Sequence, residues 1–198
     1  EVELNKYLDQ ISIKFETDGD RFMVEPVVPE HWHKIGMGDR PKSWSVNFEI
    51  TVPKGLNVNC ESINGNVNVS GENLDVSAKT TNGSVSVLEN TGDIELITQN
   101  GNTTVANTRE SGLNVIQRTQ NGNITIEIPD ATDGKFELSS TNGNIRIKMP
   151  SMIKPQLDAR TTNGNVIIEA DEMLSSSLNL KTTNGRVSCD LETSGEVK

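Results

Sequence analysis

"TTNG" stands at residues 161–164, and the same four residues return at 80–83 and 182–185. The variants TQNG, STNG and SING bring the number of Asn-Gly copies in this pattern to seven. Successive asparagines lie 18, 18, 21, 21, 21 and 21 residues apart. A phrase that returns at a nearly constant spacing predicts a repeat protein whose units share one local structure. The predicted corners of the seven units are Asn64–Gly65, Asn82–Gly83, Asn100–Gly101, Asn121–Gly122, Asn142–Gly143, Asn163–Gly164 and Asn184–Gly185.

Side chains alternate between apolar and polar on both sides of each corner. Apolar residues lie six and four positions before the asparagine and three and five positions after it; around Asn142 they are Phe136, Leu138, Ile145 and Ile147. This period of two predicts a strand, a turn and a second strand in every unit, and so an all-β protein. A hydroxyl column stands two positions before each asparagine: Ser62, Thr80, Thr98, Thr119, Ser140, Thr161 and Thr182.

Asn-Gly predicts a tight corner with positive φ, which glycine adopts freely and asparagine tolerates. Two architectures contain such corners: a chain of antiparallel hairpins, and a solenoid whose coils stack on one another. Burial favours the solenoid, because it covers the inward columns with their own opposite wall. We therefore predict a β-solenoid of about seven coils, with the asparagine side chains in a ladder. The inward hydroxyls are expected to bond to neighbouring backbone at the corner.

The N-terminal residues follow a different pattern. Residues 11–25 predict a β-hairpin that turns at Asp18-Gly19, with Phe15 opposite Phe22 and Ile13 opposite Val24. "SVNFEITVP" (45–53) then predicts a strand with an apolar face.

Three segments are expected along the chain. Residues 1–44 form a hairpin and loop cap, residues 45–191 form the solenoid, and residues 192–198 form a charged tail. The loop at 27–44 contains both tryptophans and both histidines, and long loops in compact domains are often functional.

Composition limits the class of partner. The net charge is −10, and no run of Lys or Arg offsets it. We therefore expect no nucleic acid partner and no adsorption to an anionic membrane. The sequence has no apolar run long enough for a transmembrane helix, so we expect no direct membrane insertion. Since it begins at Glu1 without a signal peptide, we expect either a trimmed mature form or an engineered form.

Cys60 and Cys189 are the only cysteines. The repeat places one in the first coil and the other in the last. At about 4.8 Å per coil they lie roughly 30 Å apart, beyond the reach of a disulfide. We expect two small buried apolar side chains.

Serial T-x-N-G-x-[VI]-x-[VI] units after an "ITVPKG" strand (50–55) closely resemble the bacterial adhesin family, also called the toastrack domain. The resemblance covers roughly residues 45–191. It implies a single-stranded, right-handed β-helix-like fold in exported or envelope-associated bacterial proteins. It also implies an extracytoplasmic location: the periplasm, the outer surface or the medium, with or without a lipid anchor on the full-length form. The family supplies no established catalytic residues, so none is carried over.

Charged residues in the outward columns form one candidate surface, the charged patch: Glu137, Asp158, Arg160, Arg118 and Lys181. Glu137 and Asp158 are predicted to be stacked neighbours beside the three cations. One interpretation is a solvated strand face, since mixed charges on strands are usually only that. A second is a polysaccharide-active enzyme, in which the two carboxylates and Arg160 perform hydrolysis or elimination.

His31 and His33 in "EHWH" (30–33) are the best candidates for metal ligands. No further histidine and no nearby cysteine supplies a third ligand, so we predict no metal site and no cofactor.

These observations predict a non-catalytic protein of the bacterial cell envelope or surface, an adhesin-like binding module with a repetitive face. The expected partner is a glycan, an envelope protein or a second copy of the chain. The alternatives are the polysaccharide-active enzyme and a sensory or scaffold domain of an envelope-stress system.

Overall fold

The part of the chain that can be described contains β-strands as its only regular elements. The computed structural model describes residues 12–18, 21–27, 48–72, 75–106, 112–128, 133–149, 151–153, 155–170, 172–174 and 177–191. Two compact units divide the chain, Glu1–Thr51 and Val52–Lys198. The all-β prediction is confirmed.

The first unit contains an antiparallel hairpin of β1 (Ser12–Asp18) and β2 (Arg21–Val27). The hairpin is confirmed, but its predicted register is wrong. Phe15 lies opposite Val24, not Phe22, because the strands extend through the Asp18–Arg21 pair and the loop begins one residue later.

The shift applies to every pair of this hairpin. Ile13 lies opposite Pro26 instead of Val24. The rings of Phe15 and Phe22 still stack diagonally, with centroids 6.1 Å apart.

The predicted strand at 45–53 is wrong over its described part. Residues 48–53 adopt no strand, and Phe48, Ile50 and Val52 are exposed. Alternation produces a strand only where a neighbour supplies ladder hydrogen bonds. None of the strands in the described ranges pairs with this segment.

The second unit of the chain is a solenoid that alternates between two parallel sheets. The first sheet contains the strands before each corner: β3 (Val58–Asn64), β5 (Val76–Asn82), β7 (Ile94–Asn100), β9 (Leu113–Asn121), β11 (Gly134–Asn142), β14 (Gln156–Asn163) and β17 (Ser177–Asn184). The second sheet contains the strands after it: β4 (Val67–Ser70), β6 (Val85–Leu88), β8 (Thr103–Ala106), β10 (Ile124–Glu127), β12 (Ile145–Lys148), β15 (Val166–Ala170) and β18 (Val187–Leu191). A short parallel pair forms beside them: β13 (Ser151–Ile153) and β16 (Glu172–Leu174).

Neighbouring units stack in register. Each corner asparagine pairs with the asparagine of the next unit, as Asn142 does with Asn163. The solenoid is confirmed over the chain of hairpins. The coil number differs from the prediction of about seven: each sheet has seven strands, but two are edge strands, so about five turns are enclosed on both sides. Exposure of Leu178 and Val187 in the last unit reflects this open end.

Aliphatic side chains fill the space between the sheets. Phe136, Ile145 and Ile147 are completely buried, and the other inward columns follow the same alternation. Each buried aliphatic side chain stabilises the fold by about 1.5–3 kcal/mol relative to its exposed state. Because the chain has only four phenylalanines, this narrow aliphatic interior suits its composition.

Three sets of hydrogen bonds connect consecutive corners. Asn163 Nδ2 donates to Asn142 Oδ1 at 2.7 Å, and the same bond joins every adjacent pair of corner asparagines. The hydroxyl column bonds to the preceding glycine carbonyl, as Thr161 Oγ1 does to Gly143 O at 2.9 Å. Both ladders were predicted and are confirmed. The third set joins backbone groups, such as Gly143 N to Asn163 O at 3.0 Å.

The reason for glycine at these corners differs from the predicted one. No corner asparagine has positive φ. The glycine φ is +153° to +157° at Gly65, Gly83 and Gly164, which is close to extended backbone, and it lies outside the left-handed range at the other four corners. The stacking itself requires glycine. A Cβ placed on Gly143 would lie 1.9 Å from the carbonyl oxygen of Gly122 in the preceding unit.

We expect Gly143→Ala to be far more destabilising than Gly65→Ala. Gly65 belongs to the first unit, where an added Cβ meets only Ser62 Oγ at 3.4 Å, although its φ of +153° is the less favourable for alanine. Overpacking of this kind costs about 1–3 kcal/mol or more. Urea unfolding of both variants measures the difference. An equal loss of stability would show that close approach is not the constraint.

One polar pair interrupts the aliphatic interior. Gln117 and Thr103 occupy inward columns in which most other units carry aliphatic residues, and both are fully buried. Thr103 Oγ1 lies 3.2 Å from Gln117 Oε1, and Gln117 Nε2 lies 3.5 Å from the carbonyl oxygen of Thr125. The two polar residues therefore form a hydrogen bond with each other between the two sheets.

The Gln117–Thr103 pair predicts strongly non-additive substitutions. Thr103→Val alone leaves the buried Gln117 amide short of a partner and should cost about 1–3 kcal/mol. Adding Gln117→Leu, which matches the rest of its column, should recover most of that loss. A double-mutant cycle in denaturant unfolding measures the coupling, and additive effects would contradict the interaction.

Both cysteines are free, so the predicted absence of a disulfide is confirmed. Cys60 lies in β3 at one end of the stack and Cys189 in β18 at the other. Burial raises the pKa of the Cys60 thiol. Cys189 is exposed, although we predicted a buried side chain, because β18 is an edge strand among the described strands.

Candidate functional site

The residues of the charged patch lie together on the outer face of the first sheet. Glu137 and Asp158 are direct neighbours in the β11–β14 register, as predicted. Arg160 and Lys181 are neighbours in the same way on β14 and β17. Arg118 is two strands from Arg160, with Ser139 between them. At about 4.8 Å per strand, the three cations extend over roughly 15 Å.

The two carboxylates of the patch are already paired. Arg118 Nη2 lies 3.6 Å from Glu137 Oε2, and Arg160 forms an ion pair with Asp158 on its own strand. Asn179 Nδ2 donates to Asp158 Oδ2 at 3.3 Å. Within the described residues, Lys181 forms no ion pair, so its charge is available to a ligand.

Sequence reasoning missed one member of this surface. Lys135 Nζ lies 2.6 Å from Glu137 Oε1. Its signal was available, because Lys135 stands two residues before Glu137 and therefore projects from the same face of β11. With Lys135, four cations surround two carboxylates, so the part of this face on β9–β17 carries a local excess of positive charge in a chain of net charge −10.

Lys135 holds the pKa of Glu137 below its ordinary value. The hydrogen bond from Lys135 is the main cause, followed by its charge; the charges of Arg118 and Arg160 add to the effect. Glu137 is therefore ionised at neutral pH.

The outer face of the second sheet offers a comparison. Lys148 pairs with Glu127 at 3.4 Å, and Arg146 pairs with Glu169. Each of these two cations has a carboxylate on a neighbouring strand. These contacts match each cation with one carboxylate, whereas the charged patch and Lys135 on β9–β17 place four cations beside two carboxylates.

A second polar ladder runs beside the asparagine ladder and was not predicted. In the first six units, the residue two positions after the corner asparagine accepts a bond from the backbone of the next unit. Asn144 Oδ1, for example, accepts from Asn165 N at 2.8 Å. Its signal is the nearly constant Asn or Ser at this position, as in "NGN". These side chains already bond to the backbone of the next unit and are therefore poor candidates for ligand contacts.

Two open grooves lie on the described surface. One is lined by Glu127, Arg146 and Lys148, and another by Glu61, Lys79 and neighbouring hydroxyls. Across the described ranges, no three His, Cys, Asp or Glu side chains converge to hold a metal. His31 and His33 lie outside the described residues. The same ranges contain no helix that could span a membrane.

Two stacked parallel sheets joined by Asn-Gly corners define a class of repeat protein, the β-solenoid. A family model described as Toastrack DUF4097 matches residues 8–198. The chain belongs to the Toastrack family, and the resemblance on the repeat motifs is confirmed. No curated protein and no solved structure matches the chain.

We expect Lys135→Met to raise the pKa of Glu137 towards its ordinary value of about 4.3. The substitution removes both the hydrogen bond and the nearest positive charge. Because the folded pKa lies below the unfolded one, the stability from this contact is present above about pH 4.3 and is lost as the pH falls through the folded value. Carboxyl NMR shifts measured against pH test this. Lys148→Met, on the other sheet, is the control and should leave Glu137 unchanged.

Proposed function

We propose that this protein is a non-catalytic binding module that presents the charged patch and Lys135 to an acidic polysaccharide. The observation that carries the proposal is the row of cations on adjacent strands, with Lys181 unpaired among the described residues. Carboxylate or sulfate groups along a glycan chain match such a row better than a single small ligand does.

The local charge of the patch, not the net charge of the chain, supports an anionic ligand. A chain of net charge −10 repels polyanions at long range. Binding therefore has to come from short-range contact with a local positive surface, and the first sheet provides one. Screening limits these contacts to about 8 Å at physiological ionic strength, so specificity depends on the spacing of the cations.

The rigidity of the scaffold also supports binding of an extended chain. The stacked strands fix the cations at steps of about 4.8 Å, and the corner ladders fix the register of the stack. An extended ligand meets several charges at once without ordering a loop, which lowers the entropic cost of binding.

The electrostatics of Glu137 disfavour the enzymatic alternative. A general acid near neutral pH requires a carboxyl with a raised pKa. Lys135 and Arg118 change the pKa of Glu137 in the opposite direction. Asp158, the other candidate, is in contact with Arg160. We also propose an extracytoplasmic location, which is supported by the resemblance to exported bacterial proteins.

Removal of the three patch cations should abolish most of the binding. The variant is Arg118→Gln, Arg160→Gln and Lys181→Gln. It should bind a carboxylated or sulfated polysaccharide at least about tenfold more weakly than the wild type, which is about 1.4 kcal/mol. Titration calorimetry at two salt concentrations measures the affinity, and neutral dextran should not bind.

The matched control is Arg146→Gln, Lys148→Gln and Arg186→Gln, which removes the same charge from the second-sheet side of the corner. It should bind like the wild type. An equal loss of affinity in both variants would show that binding depends on net charge alone and not on the patch. Binding of single-stranded DNA with equal affinity would show a non-specific polyanion surface, and binding of an envelope protein alone would favour the other partner class. Polysaccharide cleavage that Glu137→Gln abolishes would establish the enzyme instead.

A further inference from the structure

Each of the seven corners combines an asparagine with a following glycine, and these two residues can react with each other. The backbone nitrogen of the glycine can attack the side-chain Cγ of the asparagine, because glycine has no side chain to hinder the approach. The reaction requires the glycine N–H to lose its proton and the asparagine side chain to rotate. Hydrogen bonds that hold either group oppose the reaction.

The solenoid holds both groups at its enclosed corners. Gly143 N donates to Asn163 O at 3.0 Å. The side chain of Asn142 makes two ladder bonds, donating to Asn121 Oδ1 and accepting from Asn163 Nδ2. Attack at such a corner has to break three hydrogen bonds.

The last corner lacks two of these three bonds. The N–H of Gly185, in the last unit, has no acceptor among the described residues. One unit earlier, the corresponding bond is present: Gly164 N donates to Asn184 O at 3.1 Å. Asn184 Nδ2 donates to Asn163 Oδ1 at 2.8 Å, whereas no donor in the described ranges reaches Asn184 Oδ1. Gly185 is also exposed, while the five enclosed glycines are half-buried.

We propose that Asn184–Gly185 is a site of spontaneous deamidation, and that the other six corners are protected by the stack. Solvent base removes the Gly185 N–H proton, and the nitrogen lone pair forms a bond to Asn184 Cγ. The Cγ–Nδ2 bond then breaks, and Nδ2 leaves as ammonia after taking up a proton from water. Water opens the resulting five-membered imide to aspartate or isoaspartate. The net reaction consumes one water and releases one ammonia, with no change of oxidation state.

The first corner, Asn64–Gly65, should deamidate more slowly than Asn184–Gly185 and faster than the enclosed corners. Gly65 N donates to Asn82 O at 2.9 Å, and Asn64 Oδ1 accepts from Asn82 Nδ2 at 2.8 Å. Asn64 Nδ2 has no ladder partner among the described residues. Two bonds therefore hold this corner, against three at enclosed corners and one at Asn184.

Deamidation changes the end of the solenoid. A carboxylate at position 184 replaces the Nδ2 donor by an oxygen, which faces the acceptor Asn163 Oδ1 across the 2.8 Å contact. The last rung of the ladder is then repulsive instead of attractive. An isoaspartate also adds a backbone methylene, which breaks the in-register stacking of β17 and β18 on the preceding unit.

The experiment is incubation of the folded wild-type chain at mildly alkaline pH, followed by peptide mapping with tandem mass spectrometry. Trypsin releases Asn184 in the short peptide 182–186, and Asn142 in the separate peptide 136–146. We expect Asn184 to deamidate at least about tenfold faster than any enclosed corner, because two fewer hydrogen bonds oppose the reaction. Asn64 should be intermediate.

The control is the same chain incubated in concentrated urea. All seven asparagines precede glycine, so their rates should become similar once the stack is lost. The proposal fails if Asn184 in the folded chain is as slow as Asn142. It also fails if Asn184 is equally favoured in urea, because the preference would then belong to the local sequence and not to the end of the stack.

Discussion

Successive glycine corners of this solenoid pack backbone against backbone with no room for a Cβ, and the rest of the structure depends on this packing. Each glycine carbonyl occupies the space that a Cβ would need in the next unit: a Cβ on Gly101 would lie 1.9 Å from Gly83 O. At that distance only glycine fits, and the asparagine beside it reaches its neighbour's amide. The corner therefore fixes the vertical spacing and the register of both sheets.

Fixed register explains why side chains sort into columns with separate tasks. Inward columns are aliphatic because each residue meets its own kind above and below and a facing sheet across the core. Corner columns are amide and hydroxyl because each enclosed asparagine donates to the preceding unit and accepts from the next, and each hydroxyl donates to a glycine carbonyl of the preceding unit. Outward columns carry neither constraint, so they can vary from unit to unit. Arg118, Ser139 and Arg160 share one such column, and a binding surface can arise there without any change to the scaffold.

The sequence predicts those features that repeat and misses those that occur once. Alternation around seven identical corners establishes the solenoid, the buried columns and both predicted ladders. The hairpin register has no second copy to check it, and a shift of its loop by one residue changes every pair. The strand expected at 45–53 failed over residues 48–53 because alternation indicates a face but supplies no pairing partner. Lys135 belongs to a third outward column on the same face, which the predicted patch did not include.

The polar pair inside the core addresses a problem that identical units create. A solenoid of equal repeats can slip by a whole unit and still bury leucine against valine. Gln117 lies between Leu96 and Leu138 in its column, and the slipped pairing would leave its amide facing aliphatic side chains, at a cost of about 1–3 kcal/mol. In the native register Thr103 faces it. The pair lies where the repeat lengthens from 18 to 21 residues, which is where the two parts of the stack differ most in length and correct alignment is most needed.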